Sequence, residues 1–143
     1  MKKLLLIALL IVGCVFGRER YVAVGFLDHK TGISLVGYAR TLKQTEKHEF
    51  FIGAGTMISA FTASAGWKYY FNDAPIQFYS VLSIQGVNGM GGGFISPVIS
   101  LGVEKNLYKK WFINFGAISM VRPHPDKPID FVTFPTINVN KRY

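Results

Sequence analysis

Cysteine is nearly missing from this chain. Of 143 residues only Cys14 carries a thiol, so no disulfide can form within the sequence. Acidic side chains are scarce, with 8 Asp and Glu against 16 Lys and Arg and a formal net charge of +8. No long hydrophobic run occurs either. The longest, Leu4 to Val12, has nine residues, and a helix that crosses a bilayer needs roughly 20. A helical membrane span is therefore excluded. Three histidines and no clustered ligands exclude a metal site, since His124-Pro125-Asp126 is too sparse to hold one. The glycine-rich stretch 86–93 leads into no helix pattern, so it is no phosphate cradle. No cofactor is expected. A nucleic-acid partner is not expected either, because no basic helix or recognition module is present.

What is present begins with Met1-Lys2-Lys3, a basic start, followed by the apolar Leu4–Val12 and then small residues at Gly13, Cys14 and Gly17. This order predicts a secretory signal peptide over 1–17 and a mature domain over 18–143. Ile11-Val12-Gly13-Cys14 offers a second cleavage site, before an acylated Cys14. Without Lys2 and Lys3 the balance is 14 basic to 8 acidic residues. For an exported chain that surplus points to anionic lipid.

Hydrophobic residues make up 50% of the chain and aromatics 15%, and their arrangement carries the fold. Phe61, Ala63, Ala65, Trp67, Tyr69 and Phe71 share one parity, and Thr62, Ser64, Gly66, Lys68, Tyr70 and Asn72 the other. Successive side chains of a strand point to opposite faces, so this segment has one oily and one polar or small face. Similar segments cover roughly 21–28, 33–41, 48–56, 76–86, 93–105, 110–121 and 131–143. Most reach the length of a tilted membrane strand. The expected fold is all-β: an eight-stranded antiparallel up-and-down transmembrane β-barrel in a bacterial outer membrane. Loops at 28–32, 57–60, 86–92 and 122–130 would face outside, and turns at 42–47, 72–75 and 106–109 the periplasm. Pro97 and Pro135 fall inside strand patterns and predict an edge, a bulge or a weakened seam. The final alternation Ile137 to Tyr143 resembles the C-terminal signal read by the outer-membrane assembly machinery. That machinery and outer-membrane lipids are the expected partners of a monomeric barrel.

The inward parity divides in two. Toward the periplasm Glu49, Lys68, Tyr70, Glu104 and Asn114 predict a closed polar network, since an eight-stranded barrel is narrow enough for side chains to fill. Toward the outside Gly25, Gly53 and Gly55 leave space, and Val81, Phe94, Val98, Ile118 and Met120 line it with apolar surface. These eight residues form a candidate site for a lipid or small hydrophobic ligand.

Ala65-Gly66-Trp67, Pro97-Val98-Ile99-Ser100-Leu101-Gly102, Pro123 and His29 together resemble the lipid A palmitoyltransferases, small outer-membrane barrels with an apolar outer lumen. The resemblance implies a histidine in the first outer loop and an Asp-Ser pair in the second. His29 matches the first, and Ser59 is the only counterpart of the pair. The leading expectation is a non-enzymatic barrel, structural or lipid-binding. The alternative is an acyltransferase that uses His29 and Ser59.

Overall fold

The computed structural model describes residues 19–124 and 126–143, leaving aside the side chains at 122–124, 127 and 128. The expected signal segment, both cleavage alternatives and the side chain of Pro123 lie outside the described residues. Eight strands follow one another: β1 (Glu19–Phe26), β2 (Val36–Gln44), β3 (His48–Met57), β4 (Ala60–Tyr70), β5 (Ile76–Gly89), β6 (Gly92–Tyr108), β7 (Trp111–His124) and β8 (Lys127–Arg142). Each pairs antiparallel with its neighbours. β1 meets β8 from Tyr21↔Arg142 to Phe26↔Ile137, which closes the barrel.

Alternation decides which face is which. Lys68 is 0% exposed and Glu104 1%, whereas on the opposite parity Ile99 is 52% exposed and Phe115 45%. A water-soluble barrel buries its apolar parity, and this one turns it outward. On the outer face of β4, close to the turns, Trp67, Tyr69 and Phe71 form a ladder of aromatic rings, with Tyr69 and Phe71 edge to face at 5.1 Å. β2, whose parity is unclear in the sequence, carries a bulge between Thr41 and Lys43.

The wall is uneven. β1 to β4 have 8 to 11 residues, and β5 to β8 have 14 to 17. β7 pairs with β6 only from Val98 onward, and β1 pairs with β8 only from Ile137 onward. The hairpins β5–β6 and β7–β8 therefore rise above the closed ring. Much of the expected loops 86–92 and 122–130 is strand, with tight turns at Met90 and Asp126 and a register shift between Arg122 and His124. Both strand prolines sit in these one-sided stretches, where one ladder has already ended. Beside Pro97, Ser96 Oγ donates to the Val121 carbonyl at 2.6 Å and supplies a link that the backbone does not make.

The connection from β1 to β2, residues 27–35, departs furthest from expectation. Its polar centre reads as an exterior turn, yet Asp28, His29, Lys30 and Thr31 are all 2% exposed or less. Leu27 takes a left-handed conformation (φ 57°) and reverses the chain. The Asp28 carboxylate then accepts from the Thr31 amide at 3.0 Å and the Thr31 hydroxyl at 2.9 Å, an Asx-type turn that consumes its own polar groups. The folded segment enters the lumen. The hydroxyls of Ser64 and Thr62 on β4 donate to the Lys30 and Thr31 carbonyls. Gly53 on β3 lets it in: a Cβ there would collide with the Lys30 carbonyl. Gly53→Val is expected to cost about 1–3 kcal/mol through this overpacking. Urea unfolding of the protein in detergent micelles would measure it, and an unchanged midpoint would show that the segment yields freely.

Candidate functional site

The barrel interior holds a charged cluster built from both the wall and the inserted segment. Glu49 on β3 forms an ion pair with Lys30. It also accepts from the Thr41 hydroxyl at 2.5 Å and from the Tyr70 hydroxyl at 3.2 Å. Glu104 on β6 accepts from Lys68 at 3.0 Å and from the Arg142 guanidinium at 2.5 Å. Asp28 takes the Tyr21 hydroxyl at 2.7 Å. The three carboxylates thus face three cations, Lys30, Lys68 and Arg142, so the cluster is neutral as a whole. A buried charge is tolerated when it is paired and its remaining positions are hydrogen-bonded, and this holds for both glutamates. Aromatic faces complete the cations' surroundings. Lys68 lies 4.0 Å from the Tyr79 ring centre, Lys30 4.5 Å from that of Tyr21, and the Arg142 guanidinium 4.1 Å from that of Phe112.

His29 sits in the middle of this cluster. Its Nε2 is 3.2 Å from the Lys68 ammonium. An ammonium only donates, so Nε2 accepts and the ring is neutral, with its proton on Nδ1. That nitrogen lies 3.4 Å from both Asp28 Oδ1 and the Tyr79 hydroxyl. Both ring nitrogens are therefore engaged inside the barrel.

The structure brings four of the five expected network residues, Glu49, Lys68, Tyr70 and Glu104, into one cluster. Asn114 lies opposite Glu104 on β7, and its amide donates to Asn138 at 3.0 Å. His29 and Ser59 are not brought together. His29 bonds Lys68, whereas exposed Ser59 lies just before the start of β4, beyond Ala60. Lys68 is eight residues further along that strand, or about 26 Å at a strand's rise. Of the eight expected lipid-site residues, Val98, Ile118 and Met120 pack with Leu27, and Phe94 borders them. Val81 belongs to a separate cluster with Phe51, Tyr70 and Tyr79. The clearances at Gly53 and Gly55 are taken by Lys30 and Ser34 of the inserted segment, and Gly25 lies against Asn138.

Sequence reasoning missed Lys30, Asp28, Tyr21 and Arg142 as interior residues. Arg142 had a readable signal: it continues the inward parity of Asn138 and Asn140 on β8. No family model matches this sequence, and no curated protein matches it.

Proposed function

We propose that this chain is a small bacterial outer-membrane β-barrel of structural, non-enzymatic role, closed to solute passage by its own β1–β2 connection. The observation that carries this reading is the inverted distribution of side chains. Lys30, Glu49, Lys68 and Glu104 are fully enclosed and, with Asp28 and Arg142, mutually neutralised, while large apolar side chains such as Ile84 (61% exposed) and Ile95 (68%) cover the outside. In water such an outer surface is an aggregation liability. In a bilayer it is the low-energy arrangement, because the closed ladder leaves no unpaired strand edge around the ring. The interior supports a plug better than a pathway, since three carboxylates balance three cations and the space beside Gly37, Gly53 and Gly55 is filled by Thr31, Lys30 and Ser34 of the inserted segment. The short rim turns and the Ile137–Tyr143 alternation fit insertion by the assembly machinery with the termini on the periplasmic side.

Membrane fractionation tests the reading. The expressed protein is expected to stay with outer membranes through a carbonate wash and to migrate on gels as a compact band that shifts on boiling. Release of the folded protein into the wash would overturn it. In planar bilayers the purified barrel is expected to give no stable conductance steps.

A further inference from the structure

We propose that the outer face of the barrel carries a specific site for one anionic glycerophospholipid, with its phosphate at Arg20, Arg40 and Lys43 and an acyl chain in a groove across β3 to β6. This deepens the reading above and rests on it. The register lays out two neighbouring outward rows. One runs Lys43↔Phe50↔Trp67↔Leu82↔Ile99. The other runs Arg20↔Arg40↔Ile52↔Ala65↔Ile84↔Pro97. Between the two rows lies an almost wholly apolar groove of about 660 Å³. Ala65 contributes only a methyl group where its row neighbours carry Ile52 and Ile84, which keeps the groove open.

Both rows begin in cations at the turn end of the barrel and climb away from it. Phe50 is two residues from the start of β3, and Ile99 is nine from the end of β6. From β2 to β6 the path crosses four strand spacings, roughly 19 Å. One leaflet of hydrocarbon is roughly 15 Å deep, half of the bilayer core, so an inclined acyl chain fits the path. The headgroup end is charge-complementary to phosphate. Among the described residues, Arg20, Arg40 and Lys43 take part in no ion pair. Arg40 is half-buried and its side chain has no hydrogen-bond partner among the described residues, its Nε included, so the accessible part of the guanidinium is free to bond an anion. Glu19, the nearest acid on β1, has the opposite, inward parity, and Glu46 in the β2–β3 turn is likewise unpaired. Trp67 closes the lower wall and is held there by its indole N–H, which donates to His48 Nδ1 at 3.1 Å.

Trp67 and Trp111 are the two tryptophans of the chain, which gives a direct test. In a Trp111→Phe background, the barrel is reconstituted into phosphatidylcholine vesicles. These hold a small fraction of phosphatidylglycerol brominated on its acyl chains, or the same fraction of brominated phosphatidylcholine. The brominated anionic lipid is expected to quench Trp67 more strongly, with local enrichment of about fivefold for each cation engaged. The triple variant Arg20→Gln, Arg40→Gln, Lys43→Gln is expected to quench equally with both lipids. Ala65→Phe is expected to lower quenching by the anionic lipid while the cations remain. Raising the salt concentration should weaken the preference in the protein with its cations intact, which tests the contact without altering the charged side chains. Equal quenching by both lipids would overturn the site and leave the membrane barrel standing. Absence of quenching by either lipid would overturn both readings.

Discussion

Replacing Glu104 with alanine is expected to destabilise the barrel by about 3–5 kcal/mol, the scale of breaking a buried ion pair by removing one partner. One carboxylate here serves two cations. Its loss leaves the Lys68 ammonium and the Arg142 guanidinium enclosed together with no acid between them. Glu104→Gln keeps the shape and an acceptor oxygen, so it should fall between alanine and the native residue. Urea unfolding in detergent micelles gives the comparison. A Glu104→Ala midpoint within about 1 kcal/mol of the native value would mean that water reaches the pair and screens it.

Lys30→Glu should be at least as damaging, because it turns an attraction into a repulsion at a site with no route for hydration. The Lys30 ammonium pairs with Glu49 inside the lumen, and a carboxylate in its place would face another carboxylate. The inserted segment is expected to leave its seat. Amide hydrogen exchange separates this from general loosening: residues 28–34 should lose protection while the β5–β6 ladder keeps it. Protection retained at 28–34 would show that backbone bonds from Ser64 and Thr62 seat the segment without the ion pair.

The strands were legible because alternation is a property of each segment taken alone. Trp67 and Lys68 disclose their opposite faces with no knowledge of the rest of the chain. Strand ends were harder to read, since the projecting hairpins depend on how far a neighbour extends. The inserted segment was hidden for a different reason. Asp28-His29-Lys30-Thr31-Gly32 has the composition of a solvated turn, and nothing local says that its Asp28 satisfies the turn internally. Two indirect signals existed. Gly37, Gly53 and Gly55 cluster on the inward parity of adjacent strands, and each is crowded by a residue between 30 and 34. The network expected from sequence, Glu49, Lys68, Tyr70, Glu104 and Asn114, also holds two acids and one lysine, and such a deficit calls for further cations. Lys30 and Arg142 supply them.

The inserted segment is covalently continuous with β1, and β1 is held to β8 over Tyr21–Phe26 and by backbone bonds between Arg20 and Tyr143. β1 thus has short ladders on both sides, six register pairs to β2 and six to β8. Whatever peels the first strand away also withdraws the stopper behind it. Sealing the circle and corking it thus draw on one continuous stretch of chain, so a change that loosens either is expected to be felt by the other.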